Sequence, residues 1–202
     1  LAKQGLPQDE IDLIGAQSAA LTHGHELGYI PAAALVHIIS LLTKNERMSI
    51  KEAAADSIAA MKKMFADSEH IGEFTEIMTR ALKLAESETD DIAAIHSLGE
   101  GWVAEEMLAI AVYCAVKYSR DFEKCITAAV NHEGDSDSTG AVAGNIVGPY
   151  LGYEKIPAKF KEKLEISDVI LEIADDLYQD GRMCPDRANK HVKCAEIKAY
   201  KD

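Results

Sequence analysis

The sequence predicts an all-α protein, and three observations carry that prediction. Apolar residues recur at spacings of three and four almost throughout, and no stretch alternates as a strand would. Aromatic residues make up only 6% of the chain while alanine is abundant, a mix that favours closely packed helices over a β-sandwich. Helix-start and helix-stop residues punctuate the pattern. The 202 residues fit one domain or at most two small ones. A chain of this length buries roughly 70% of the surface its unfolded form exposes, so its core needs no disulfide or metal to close.

Each element has its own reason. Pro7, Asp9 and Glu10 open a helix with acids in the first turn, where the dipole favours them; Ile11, Ile14, Ser18 and Leu21 follow at helical spacing. Thr22-His23-Gly24-His25 breaks it. A second apolar helix carries Ala32, Leu35, Val36, Ile39 and Leu42. Ser49 and Glu52 form a capping-box signature for a helix to about Ala66. Another runs from Ile71 to Ala85. After the acidic turn at Glu86–Asp91 comes a short helix, then Gly99-Glu100-Gly101. A long apolar helix begins near Trp102, and Ser119 caps the next one, through Val130. The polar cluster from Asn131 to Thr139 precedes a Gly/Ala-rich helix. Pro157 opens a short helix; Ser167-Asp168 caps the last one, which Gly181 ends. Residues 1–182 read as one helical domain without a linker, and 183–202 as a polar tail.

Charge and cysteine usage narrow the function. The formal charge is −13, with 21 Lys and Arg against 34 Asp and Glu. That balance excludes nucleic acid held by a basic patch and docking on an anionic membrane. No run of about 18 apolar residues is evident, so no bilayer span is expected. Cys114, Cys125, Cys184 and Cys194 form no CxxC pair, which suits free thiols in a reducing cytoplasm. Nothing resembles a heptad seam, so a monomer is expected.

Four segments have the residue types for chemistry. Gly134-Asp135-Ser136-Asp137-Ser138-Thr139-Gly140 sets two carboxylates and several hydroxyls at the mouth of a helix. Hard oxygen donors at this density suit Mg²⁺, Mn²⁺ or Ca²⁺ rather than Zn²⁺, although an N-cap with solvated acids has the same composition. An EF-hand starting at Asp135 would need Glu at its twelfth position, which is Ile146. A DxDxT phosphatase signature would need a buried strand just before Asp135, where Asn131-His132-Glu133-Gly134 stands instead. Gly140, Gly144, Gly148 and Gly152 recur every four residues, which predicts a helix approached closely by a neighbour. Leu98-Gly99-Glu100-Gly101-Trp102 can bring loop amides to a ligand, or be an ordinary turn with Trp102 in the core. His23-Gly24-His25 reads as a metal HxH or a polar helix end; His37, His70, His96, His132 and His191 read as surface or satisfied core. Cys184, His191 and Cys194 could form a partial zinc site, but a fourth ligand is not evident.

Taken together and in this order, these segments resemble the ADP-ribosylglycohydrolase family. The matching residues are Ala20-Leu21-Thr22-His23, then Leu98-Gly99-Glu100-Gly101-Trp102-Val103-Ala104-Glu105-Glu106, then Gly134 to Gly144, with Ile156-Pro157 and Leu164–Leu177 continuing the likeness. The resemblance spans roughly residues 8–180, and GDSDST with its glycine helix is its most specific part. It implies a compact all-α fold of orthogonally packed helices with two Mg²⁺ ions in a cleft (Mn²⁺ is an alternative). It implies cleavage of the glycosidic bond between ADP-ribose and a protein side chain. Asp135, Asp137 and Ser138 match the C-terminal half of the metal site, with Asp135 and Asp137 serving catalysis. His23, Glu100, Gly101 and Trp102 match segments lining the ADP-ribose pocket. The implied partner is an ADP-ribosylated protein or a small molecule bearing ADP-ribose.

The sequence also departs from the family. A GDxxG-like segment, a Thr-Asp-Asp motif that supplies the other metal ligands, and a Gly-rich motif ending in Met-Arg do not occur, as if the chain begins just after them. Half of a two-metal site is therefore expected, with no N-terminal acidic catalytic residue assigned. Glu133 stands where a second Gly is common, and Pro149 is expected to interrupt the glycine helix. A non-catalytic helical module that binds ADP-ribose or a partner is the alternative. An unrelated divalent-metal phosphohydrolase built on Asp135 and Asp137 is a third reading.

Overall fold

Nine α-helices and no strand are found among the residues that the computed structural model describes, 5–178. The expectations for Gly181, for the Cys184/His191/Cys194 cluster and for the 183–202 tail fall outside the described residues. The chain divides into two units between Pro157 and Ala158.

The first unit holds eight of the helices. These are α1 (Gln8–Ala20), α2 (Glu26–Lys44), α3 (Ile50–Met64), α4 (Ile71–Ala85), α5 (Asp91–Leu98), α6 (Ala104–Lys117), α7 (Phe122–Val130) and α8 (Ser136–Leu151). Helix α6 is the centre. Leu108 to Ala115 are all buried, and α2, α3, α4, α5, α7 and α8 pack around it. A helix apolar on all sides is stable only when other helices enclose it in this way. The second unit has a 3-10 turn at Ala158–Phe160 and helix α9 (Ser167–Tyr178).

Caps set several of the boundaries. Ser49 and Glu52 form the full reciprocal capping box at the start of α3. Asp90 accepts from the Ile92 and Ala93 amides at the start of α5. Helix α5 is then fastened to α6. The Lys117 ammonium donates to Asp91 Oδ1 at 2.9 Å, to the Thr89 carbonyl at 2.9 Å and to the Tyr113 hydroxyl at 2.8 Å. This anchor aligns the two helices on either side of the Gly99–Val103 loop.

Several expected details differ. Helix α7 is capped by Asp121, whose side chain accepts from Lys124 N, and not by Ser119. Helix α6 starts at Ala104, because Val103 is still extended. Ser167 is the first residue of α9 rather than its cap, after Ile166 at φ 52°. Pro149 does not interrupt α8, which runs on to Leu151 and stops at Gly152, where φ is 82°. The buried face of α1 is Ile11, Asp12 and Ala16, while Leu21 is 86% exposed. The expected apolar stripe there was rotated because it left out a charged residue.

That residue, Asp12, meets His37 of α2. His37 Nδ1 lies 2.6 Å from Asp12 Oδ2, and its Nε2 lies 2.9 Å from Asp56 Oδ1 of α3. His37 is thus satisfied core, and it joins three helices. Gln8 extends the join by bonding Asp12 and accepting from Ser40 of α2.

Helix α2 corrects another expectation. Its 19 residues have a mean hydropathy of 1.5 over the apolar window, so by length and composition one helix is apolar enough to cross a membrane. The sequence reading missed it because Pro31, His37 and Ser40 interrupt the run. In the fold α2 contacts α1, α3, α4, α6 and α8, and it buries Ile30, Ala33, Ala34 and Ile38 among them.

Candidate ligand-binding cleft

Three helix N-termini open onto one cleft of about 540 Å³. His25, Leu27 and Gly28 come from the start of α2, Ala104 and Glu105 from α6, and Asp135 and Ser138 from α8. Each start presents backbone N–H groups without an intrahelical partner and the positive end of a helix dipole. The dipoles favour an anion, while Glu105 and Asp135 also line the cleft and no Lys or Arg is among the lining residues.

Tight local packing builds the walls. The Gly99–Gly101 loop has positive φ at both glycines, 131° and 81°, a conformation that side chains disfavour. Glu106 Oε2 accepts from the Glu100 and Gly101 amides at 3.1 Å each, so a carboxylate of α6 holds its own preceding loop. The loop is also sewn to the start of α8, because Asp135 N donates to the Glu100 carbonyl at 2.8 Å. Gly134 makes this seam possible. Any Cβ there would run into the Glu100 carbonyl oxygen. Beneath the seam, the buried Thr139 hydroxyl donates to the Ala129 carbonyl at 2.7 Å, and His132 Nε2 lies 2.9 Å from it. His132 Nδ1 accepts from Gly134 N, so Nε2 carries the proton and donates to Thr139. Burial lowers the His132 pKa, the direction that favours the neutral ring this pattern requires.

The α2 side is fastened to α4. Glu26 accepts from the Ser68 hydroxyl and from His70 N, and both bonds lower its pKa. His25 accepts from Leu27 N and stacks at a tilt on His70, with ring centroids 4.6 Å apart. Gly28 leaves room for His23, since a Cβ at Gly28 would lie 2.9 Å from that of His23.

The sequence-predicted residues divide between two hollows. His23, Gly101, Trp102, Asp135 and Ser138 all line the cleft. Asp137 is exposed and is not in its lining. Glu100 lines a separate hollow beyond Trp102, with His96, Glu106, His132 and Glu133. Trp102 borders both hollows and is 67% exposed, so it is not core; its indole N–H donates to Glu100 Oε2 at 3.1 Å.

The expected metal donors fit a hard cation in kind. Asp135 caps no backbone amide, and Asp137 accepts from Ser138 N at 3.0 Å. A hydrogen bond with Asp135, then the Ser138 amide, holds the Asp137 carboxyl below its ordinary range. Two carboxylates and a hydroxyl are donors that Mg²⁺ accepts. They are only part of a set, because among the described residues no three His, Cys, Asp or Glu side chains gather closely enough to hold a metal.

The glycine ladder of α8 has a narrower purpose than its spacing suggests. A Cβ at Gly140 would meet Val130 at 2.5 Å, whereas Gly148 has nothing within 4 Å. Close approach is needed only at the end that forms the cleft. Sequence reasoning gave Glu105, Glu106, His132 and Thr139 no role. The one signal available was an acid five residues after Gly101, within reach of the loop amides.

Comparison with known proteins addresses the family. The ADP-ribosylglycohydrolase family model matches residues 4–186. Among curated proteins, ADP-ribosylhydrolase ARH3 of Bos taurus is 24% identical over 186 residues, covering 80% of this chain and 51% of the relative. The same-named protein of Mus musculus is 22% identical over 189 residues, covering 81% and 50%. The chain therefore spans about half the length of the curated relatives it matches. No solved structure matches it. With the family model covering most of its length, the chain belongs to the ADP-ribosylglycohydrolase family.

Proposed function

We propose that the cleft binds an ADP-ribosyl group and that the protein serves Mg²⁺-dependent hydrolysis of the bond joining ADP-ribose to a modified side chain. The observation that carries this reading is the meeting of three helix N-termini, from α2, α6 and α8, at the cleft that Asp135 and Ser138 also line. The pyrophosphate is the strongly anionic part of such a ligand, and the positive ends of helix dipoles suit it. Trp102 offers an exposed indole face beside the cleft for a flat ligand group.

In this reading Asp135, Asp137 and Ser138 hold the metal side of the site. Bound Mg²⁺ supplies Lewis-acid polarisation and an anchor for ligand oxygens. The protein's own contribution is position. The Gly134–Glu100 seam fixes the start of α8, and Glu106 fixes the loop that carries Trp102. The substrate is an ADP-ribosylated protein or a small molecule bearing ADP-ribose.

The partial donor set favours a second reading, a module that binds ADP-ribose without cleaving it. One assay separates the two. Release of ADP-ribose from a modified protein is followed with Mg²⁺ and with chelator, alongside binding of free ADP-ribose. Mg²⁺-dependent release that Asp137→Asn abolishes supports the hydrolase. Binding without release supports the module, and neither binding nor release refutes both.

A further inference from the structure

We propose that His132 is a positioning residue of the cleft: its imidazole holds the backbone that presents Asp135 to the ligand. This rests on the ADP-ribosyl reading above and adds to it a residue that acts without lining the cleft.

Placement and bonding separate His132 from a catalytic or metal-binding histidine. It lines the hollow beyond Trp102 and is not in the lining of the cleft. Both of its ring nitrogens are committed within the protein. Nδ1 accepts from Gly134 N at 3.1 Å, which uses the lone pair that a metal or a proton would need. Nε2 donates to the Thr139 hydroxyl at 2.9 Å, and that hydroxyl donates onward to the Ala129 carbonyl at 2.7 Å. One ring therefore ties the end of α7, the loop before Asp135 and the first turn of α8.

Asp135 depends on that tie. Its side chain caps no backbone amide, so the course of the backbone decides where the carboxylate stands. That backbone is held at three successive groups. His132 holds Gly134 N, the Glu100 carbonyl holds Asp135 N at 2.8 Å, and Thr139 N donates to the Asp135 carbonyl at 3.2 Å. The close approach to Glu100 demands glycine at position 134, and glycine restrains its own backbone least. The bond from Gly134 to His132 supplies the restraint that the glycine lacks.

The test compares His132→Ala, His132→Asn and His132→Leu with the unmodified 202-residue chain. An Asn carbonyl accepts from the amide two residues on, as in an Asx turn, so it replaces the Gly134 bond alone. Leu replaces the bulk of the ring and neither bond. Amide hydrogen exchange of Gly134 and Asp135 reads the tie, and calorimetric titration in Mg²⁺ reads ADP-ribose affinity. Thermal melts identify the variants that are folded at the assay temperature. The expected result is faster exchange of both amides and about tenfold weaker binding in the Ala and Leu variants, with the Asn variant within about threefold of the unmodified chain. Should the Ala variant fail to fold, the Asn and Leu pair carries the same comparison. Binding regained by Leu and not by Asn would assign His132 to packing and overturn the proposal. Unchanged exchange and binding in the Ala and Leu variants would overturn it while leaving the ADP-ribosyl reading intact. If the unmodified chain binds no ADP-ribose, that reading falls; the tie then stands if exchange rises in the Ala and Leu variants, and falls if it does not.

Discussion

Two groups of carboxylates in this molecule meet opposite fates. On one side, Asp12 and Asp56 close around His37 and link α1, α2 and α3. Both ring nitrogens have a partner, and Asp12 and His37 are almost wholly buried. On the other side, Glu105 and Asp135 line a cleft that has no Lys or Arg in its lining, and one Glu105 oxygen has no hydrogen-bond partner. The first group completes its own chemistry and holds helices together. The second leaves chemistry open at the same place where three helices point their N-termini. Removing one partner of the first group strands a buried charge, whereas the second group is half-buried and faces the cleft.

The largest expected effect tests whether the cleft depends on its seam. Gly134→Ala forces a Cβ into the Glu100 carbonyl and should cost about 3 kcal/mol or more, because backbone and not a side chain must yield. Urea unfolding measures the loss, and ADP-ribose binding should disappear with it. Full stability with a working cleft would break the account of the seam.

Next comes the satisfied group. Asp12→Asn leaves His37 without its buried anionic partner and should cost about 2–3 kcal/mol, while ADP-ribose affinity of the folded protein stays unchanged. Equal damage to binding would show that the two regions are not separable. Thr139→Val should cost less, about 1–2 kcal/mol, by removing the hydroxyl between His132 and the Ala129 carbonyl. Chemical denaturation of the variant measures it, with weakened binding expected because Thr139 underlies the loop of Gly101.

The smallest effect is a pH dependence. Burial alone would lower the His37 pKa, but the hydrogen bonds to Asp12 and Asp56 outweigh it and raise the pKa above the ordinary value. The unfolded ring titrates near 6.5, so the stabilisation is fully present below about pH 6.5 and is lost as pH rises through the higher folded value. The stability gap between the unmodified protein and Asp12→Asn should therefore shrink from about pH 6 to about pH 9. Thermal melts across that range check it; a gap that widens would reverse the sign of the coupling.

Helices were legible where local chemistry decides them. The α3 capping box, the Ile71–Ala85 span of α4 and the acidic turn before α5 follow from neighbouring residues alone. The buried face of α1 was not legible, because Asp12 is buried for the sake of a histidine 25 residues away. The site was legible as three segments, since glycines, acids and histidines cluster in each. Their division between two hollows was not, because Trp102 stands at the border and sends Glu100 to the far side. Glu105 looked like an ordinary first-turn acid. Only the three-dimensional course of the Gly99–Gly101 loop separates it from Glu106, which is bonded to two amides.

Trp102 is the single tryptophan of the chain, and it borders the cleft. Its fluorescence therefore tests the central claim most directly. Titrating ADP-ribose in the presence of Mg²⁺ should produce a saturable change in Trp102 emission, weakened by Asp135→Ala. Emission that stays constant up to millimolar ADP-ribose would contradict the assignment of this cleft to an ADP-ribosyl group.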